Sequence, residues 1–224
     1  MVYVYVADIN DLPDPLEVPE SMDGLSEKRK EKIRRYMYPK DRKQSLGAGL
    51  LLNKVLPSHG VLSNDIEYEE NGKPKIQGIY FNLSHSGEMV ICAVSEKPVG
   101  CDVEKIKEAN LKVADRFFSE NEVEYLKTFD EKSRASEFFR LWTMKESYMK
   151  MTGEGMRLAL DQFEFIFEKT VKVFRNGEVC PCYIKEYEVP GYKVSVCAEE
   201  KEFAPIISVV FEDKYHVWKK NSKK

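Results

Sequence analysis

The stretch Val99-Gly100-Cys101-Asp102-Val103-Glu104, with Leu141-Trp142-Thr143-Met144-Lys145-Glu146-Ser147-Tyr148-Met149-Lys150 some forty residues on, decides how this chain reads. The first segment alternates. A strand repeats every two residues, so Asp102 and Glu104 share one face while Cys101 and Val103 turn to a core. Two neighbouring carboxylates repel unless a cation lies between them, and a pair of oxygen donors suits Mg²⁺. Alone, a D-x-E on a strand also describes a solvated strand face. The second segment has helical spacing: Trp142, Glu146 and Lys150 lie four residues apart and share a face. A surface ion pair between Glu146 and Lys150, worth about 0.3–0.5 kcal/mol, would not need a tryptophan one turn away. A third carboxylate, a cation and an aromatic wall point to a site for a metal and a phosphate.

Around these segments the chain alternates strands and helices. Val2, Val4 and Val6 interleave with Tyr3, Tyr5 and Ala7, as a strand does. A proline-rich loop follows from Leu12 to Pro19. From Ser26, an N-cap residue, comes a basic helix carrying Lys28, Arg29, Lys30, Lys32, Arg34 and Arg35, then a mostly buried helix from about Asp41. Asn71-Gly72-Lys73-Pro74 signals a turn. Three strands are expected over 79–83, 89–95 and 99–104, with connections at 84–87 and 96–98. Helices follow over 110–118, 120–129 and 136–151, then strands over 163–173, 183–189, 192–198 and 206–211. Each half of the chain thus holds comparable amounts of helix and strand, and no residue-level repeat is visible. A basic tail is set off over 212–224, and its polar, basic end Lys219–Lys224 is expected to fray.

Composition narrows the classes. The chain has 224 residues, 42% hydrophobic and 12% aromatic, enough for one or two domains with a substantial core. Its 35 basic and 38 acidic residues give a net charge of −3, which argues against a globally basic nucleic-acid binder. No apolar run approaches the ~20 residues of a membrane span. The N-terminal segment has no basic n-region, so the expectation is a cytoplasmic protein. Five cysteines, an odd number, read as reduced thiols. Cys180-Pro181-Cys182 is too tightly spaced for a zinc site and reads as small apolar strand residues. P-loop, complete dinucleotide-binding and zincin motifs are missing. Ser84-His85-Ser86 has no nucleophile elbow around it.

Gly100-x-Asp102-x-Glu104, then Trp142-Thr143-x-Lys145-Glu146-Ser147-x-x-Lys150, resembles the paired signature of the 4′-phosphopantetheinyl transferases. Gly72-Lys73-Pro74, Phe81-Asn82-Leu83-Ser84-His85-Ser86-Gly87, Arg116-Phe117-Phe118-Ser119, Cys182-Tyr183-Ile184-Lys185 and Pro190-Gly191-Tyr192-Lys193 look like the surfactin-synthetase-activating branch. The likeness runs from Ser26 to about Ala198. It implies an α+β fold, a pseudo-dimer of two similar α/β halves with the active site between them: an N-terminal half 1–104, a C-terminal half 105–211 and the tail. It also implies Mg²⁺-dependent (Mn²⁺ as the substitute metal) transfer of phosphopantetheine from coenzyme A to a serine of an apo acyl or peptidyl carrier protein. The other product is adenosine 3′,5′-bisphosphate.

By that resemblance Asp102, Glu104 and Glu146 hold the metal, Lys150 lies beside the pyrophosphate, and Glu122 is the base for the acceptor serine. Arg29, Lys32, Ser45 and His85 contact the 3′-phosphate, Lys73 and Ser84 lie along the nucleotide, and Lys145 joins the coenzyme A contacts. The carrier docks at the link from Lys105 to Phe118, and the pseudo-dimer works as a monomer without nucleic-acid or membrane partners. Cys101 stands where the family has Ile or Val; Arg29 and Ser45 replace Lys and Thr. Three other classes compete: a non-catalytic coenzyme A or carrier binder, a Mg²⁺-dependent hydrolase of small pyrophosphates, and a basic DNA-binding module. None explains both acidic motifs.

Overall fold

The computed structural model describes residues 1–68 and 74–211. Strand β1 (Tyr3–Asp8) leads to helices α1 (Glu27–Arg35) and α2 (Pro39–Val55), the short strands β2 (Glu67–Tyr68) and β3 (Pro74–Lys75), and the hairpin β4 (Tyr80–Ser86) and β5 (Met89–Ser95). Then β6 (Val99–Lys105) leads to α3 (Lys112–Phe117), α4 (Glu120–Lys127) and α5 (Glu131–Thr152). A small sheet of β7 (Phe163–Phe167), β8 (Val171–Arg175) and β9 (Glu178–Val179) precedes the hairpin β10 (Tyr183–Val189) and β11 (Tyr192–Ala198). Finally β12 (Ile207–Ser208) returns to pair in parallel with β1.

The two halves repeat one topology. In the first sheet β1 pairs antiparallel with β5, the distal strand of its hairpin, giving β1-β5-β4. In the second, β6 pairs antiparallel with β11 in the order β6-β11-β10. A long helix covers each sheet, α2 against β4 and β5 and α5 against β6 and β11. This is the α+β pseudo-dimer that the resemblance implies. By its pairing β6 goes with the second sheet, whereas the sequence reading closed the first half after Glu104. Consecutive strands of similar pattern carry no mark of which sheet each joins.

Strand alternation makes each sheet two-faced. Tyr5, Ala7, Val90, Cys92 and Val94 pack under α2 with Leu46, Leu51 and Leu52. Their neighbours Val2, Val4, Val6, Ile91 and Ala93 meet Val99, Cys101, Val103, Val194 and Val196 of the other sheet. A third cluster joins α5 to β7 and β8 through Leu141, Met144, Phe163, Phe165 and Val173. The layers are therefore helices, sheet, sheet, helices, with an apolar seam between the sheets.

Local signals account for most boundaries. The Ser26 hydroxyl accepts from the Arg29 amide and starts α1, and Pro39 opens α2, where a missing N–H costs nothing. Asp130 caps α5 through the amides of Lys132 and Ser133, and Gly153, in the left-handed region at φ 73°, ends it. Three expectations change. The first hairpin strand runs through Ser84 and His85 to Ser86, so those residues are not a connection. Residues 163–173 fold as two strands, because Glu168, Lys169 and Thr170 turn the chain. The last strand shortens to Ile207–Ser208, an exposed edge pair. The turn signal from Asn71 through Lys73 and the basic tail lie outside the described residues. Among the described residues no helix is long and apolar enough to cross a membrane.

Candidate functional site

The site forms where the edge strands β4 and β6 run side by side. Asn82, Ser84 and Ser86, every second residue of β4, reach across to β6. Asn82 Oδ1 accepts from the Cys101 amide at 3.0 Å and Ser86 Oγ from the Lys105 amide at 3.2 Å, so edge N–H groups that lack a strand partner are satisfied. The Ser84 hydroxyl donates to Asp102 Oδ1 and the Ser86 hydroxyl to Glu104 Oε2, both at 2.7 Å. Sequence reading had assigned Ser86 and Asn82 no role. Their signal is the polar period of two in Phe81-Asn82-Leu83-Ser84-His85-Ser86.

Helix α5 closes the other side. Gly100 makes this possible: a Cβ there would lie 2.1 Å from the Ser147 carbonyl oxygen and 2.4 Å from the Met151 nitrogen. With no side chain in the way, Lys150 Nζ reaches Asp102 Oδ1 at 2.6 Å, the Ser84 hydroxyl at 3.3 Å and the Cys101 carbonyl at 3.3 Å. Burial lowers the Lys150 ammonium, but Asp102 outweighs it and the net shift is upward. Burial raises Glu146 above the ordinary carboxylate range; Lys150 opposes the shift, while Asp102 and Glu104 add to it. Glu104 is raised likewise, by burial first, against its bond from Ser86 and with Asp102. Three carboxylates thus press on one another, and a cation among them would relieve each.

A mostly basic cleft of about 760 Å³ is lined by Lys28, Arg29, Lys32 and Arg35 of α1, with Glu31, Tyr36, Tyr68 and Pro74. Loss of surrounding water lowers Arg29 from the usual arginine value. Lys32 keeps an exposed side chain, yet desolvation and the Arg29 charge lower it too. His85 joins the two regions. Its side chain reaches the surface, yet loss of surrounding water lowers its imidazole, and Lys150, Lys32 and Arg29 push it in the same direction. Ser45, on α2 beneath α1, is 2% exposed and its hydroxyl has no hydrogen-bond partner.

The comparisons agree in order and extent. A family model of the 4′-phosphopantetheinyl transferase N-terminal region matches residues 13–97, and that of the 4′-phosphopantetheinyl transferase superfamily matches residues 98–197. The 4′-phosphopantetheinyl transferase Sfp of Bacillus subtilis (strain 168) is 38% identical across 84% of this chain and 88% of its own length. The chain belongs to the 4′-phosphopantetheinyl transferases, in their Sfp-type branch. Its reaction is the transfer of phosphopantetheine from coenzyme A to a carrier protein. A second relative, 4′-phosphopantetheinyl transferase gsp of Aneurinibacillus migulanus, is 39% identical across 78% of this chain and 76% of its own. Among solved structures, the Thermotoga maritima holo-[acyl-carrier-protein] synthase has a TM-score of 0.39 at 21% identity, covering 47% of this chain and 64% of that one.

In this transferase the expected site residues divide into two groups. Asp102, Glu104, Glu146, Lys150, Ser84 and His85 share one electrostatic neighbourhood, with Arg29 and Lys32 adjoining it. Glu122 and Lys145 do not join it. Lys145 is 0% and Glu122 1% exposed, and they pair at 2.7 Å on another side of α5. Lys145 Nζ also donates to the carbonyls of Leu160 and Phe163. Glu122 accepts from the Ser119 amide, closing the capping box of α4, and from the Phe165 amide. One residue along a helix turns a side chain by about 100°, which separates Lys145 from the face of Glu146. Both oxygens of Glu122 are thus engaged inside the fold. Lys73 lies outside the described residues. Trp142 packs with Phe118 and Phe138, ring centroids 6.3 and 5.9 Å away, one turn from Glu146.

Proposed function

We propose that Asp102, Glu104 and Glu146 hold Mg²⁺, and that Arg29, Lys32, Ser45 and His85 receive the 3′-phosphate end of coenzyme A. Lys150 lies between them beside the pyrophosphate. Among the described residues, no three His, Cys, Asp or Glu side chains are drawn together as a ready-made metal site, and Lys150 supplies the positive charge against Asp102. The donor set nonetheless fits the ion: all three ligands are oxygen, and Asp102 Oδ2 is buried without a hydrogen-bond partner. Bound there, Mg²⁺ supplies charge neutralisation for a pyrophosphate. The observation that carries the reading is that the cations Arg29, Lys32 and Lys150 all act on the His85 imidazole, while Lys150, Asp102 and Glu104 all act on Glu146.

The reaction displaces one oxygen at the β-phosphorus by the hydroxyl of a carrier serine and releases adenosine 3′,5′-bisphosphate. Positioning and charge dominate such chemistry. Lys150, held by Ser84 and the Cys101 carbonyl, puts a fixed positive charge where the leaving bisphosphate gains its negative one. Ser84 and Ser86 hold Asp102 and Glu104 in place. Glu122, bonded on both oxygens and buried, is assigned to the fold and not to the acceptor serine. The carrier approaches over the link from Lys105 to Phe118, where Lys107 lies over the Phe139 ring and Arg116 over the Phe117 ring, and both complement an acidic partner. Five free thiols fit a reducing cytoplasm, and two halves in one chain fit a monomer.

Intact-mass measurement of an apo carrier incubated with the protein, coenzyme A and Mg²⁺ tests the whole reading. The expected result is the gain of one phosphopantetheine, abolished by EDTA and by alanine at the carrier serine. Glu146→Gln should lower turnover by orders of magnitude with an unchanged melting temperature; wild-type turnover would remove Glu146 from the site.

A further inference from the structure

The geometry points to Arg42 as a positioning residue for coenzyme A binding, one that fixes helix α1 in the pose that brings Arg29 and Lys32 to the basic cleft. This rests on the reading that the cleft receives coenzyme A. Helix α1 has nine residues, six of them basic, and a single buried side chain, Ile33. So short a helix with so much like charge does not hold itself in place. Arg42, at the start of α2, holds the chain just past the end of α1. Its Nη1 donates to the carbonyl of the C-cap residue Tyr36 at 3.0 Å and to that of Met37, the next residue, at 2.8 Å. Its Nε donates to Asp14 Oδ1 at 2.8 Å and its Nη2 to Asp14 Oδ2, so the carboxylate grips the guanidinium from the opposite side. The Arg42 bonds hold the Asp14 carboxyl below its ordinary value.

The rest of the α2 face agrees. Arg42, Ser45 and Gly49 are spaced i, i+3, i+7 and fall in one row. A Cβ on Gly49 would lie 2.9 Å from Leu25 Cδ2 and 3.3 Å from Arg29 Cγ, so the stem of Arg29 rests directly on that glycine. Helix α1 is therefore fixed at two points, Gly49 beneath Arg29 and Arg42 beneath Tyr36. Between them sits the unpartnered hydroxyl of Ser45. Tyr36, held by the clamp, itself lines the cleft. Arg42 is 8% exposed, so it shapes the cleft through α1 and does not touch the nucleotide. Lysine keeps the charge but cannot present a planar fork to four acceptors at once, so Arg42→Lys is an informative change.

The test compares Arg42→Lys, Asp14→Asn and Lys32→Ala with the wild type. Steady-state kinetics give kcat and both KM values, and calorimetric titration gives Kd for adenosine 3′,5′-bisphosphate. Arg42→Lys and Asp14→Asn should raise the coenzyme A KM and the bisphosphate Kd by about tenfold while kcat and the carrier KM stay within about twofold. A lower melting temperature with both coenzyme A constants unchanged would overturn the proposal. Lys32→Ala reports on the cleft itself: if it raises KM and the clamp variants do not, only the clamp fails, and if it leaves KM unchanged, the cleft reading fails. Should a single change unfold the chain, Arg42→Met with Asp14→Leu leaves no charge unpaired and reads the same constants.

Discussion

At His85 the charge balance of the site becomes measurable. Partial desolvation and the cations Lys150, Lys32 and Arg29 all hold its imidazole below the ordinary value of 6.5. A phosphate placed among those cations favours the imidazolium, so ligand binding should raise the pKa and take up a proton at a pH above the lowered value of the free protein. Calorimetry in buffers of different ionisation enthalpy should show that uptake, and His85→Gln should abolish it. No uptake in the wild type would separate His85 from the phosphate. The lowered value also sets a sign for stability: below pH 6.5 the unfolded chain binds a proton that the folded chain resists, so stability falls as pH falls. Single residues also show what the sequence carried. Asp102 and Glu104 were legible because strand alternation forces two carboxylates together. At Glu122 two readings look alike in sequence: Ser119-Glu120-Asn121-Glu122 fits both a capping box and an acid–base role, and the structure adds the cap and the pairing with buried Lys145.

Helix α5 on strand β6 is the element contact that makes the site. Any side chain at position 100 would meet backbone atoms of Ser147, Lys150 and Met151, which cannot swing aside as a flexible side chain would. Gly100→Ala should therefore push α5 away from β6, and overpacking of this kind costs about 1–3 kcal/mol. The shift would also open the 2.6 Å contact of Lys150 with Asp102. The expected result is a lower melting temperature together with a fall in kcat larger than any change in the coenzyme A KM. Unchanged kcat and melting temperature would show that α5 slides freely. Helices and hairpins marked by a cap or a turn residue were legible for the same local reasons that stabilise them. Where no such marker exists, reading failed: residues 163–173 run through Phe, Ile and Val with only Glu168-Lys169-Thr170 to betray the turn between β7 and β8.

Over the whole molecule the two halves share a chain topology without sharing a residue pattern. Strand, helices and hairpin close in the same order in each, because a hairpin whose distal strand returns to the first strand is one short way to cover a helix with three strands. That likeness is invisible residue by residue, since burial fixes only which positions are apolar and not which apolar residue fills them. The junction has its own physics. Val2, Val4, Val6, Ile91 and Ala93 from one sheet and Val99, Cys101, Val103, Val194 and Val196 from the other are all nearly inaccessible to solvent, so either half alone would expose a full apolar sheet face. The polar bonds from β4 to β6 lie beside this seam, and opening it would separate Ser84 from Asp102 and Ser86 from Glu104. The halves should therefore unfold together. Calorimetry should give one transition with equal van't Hoff and calorimetric enthalpies. Replacing Val4 by Asp at the seam should lower that single transition and the activity in parallel. Two resolved transitions, with activity lost only in the second, would mean that each half stands alone and that the site needs no seam to hold it.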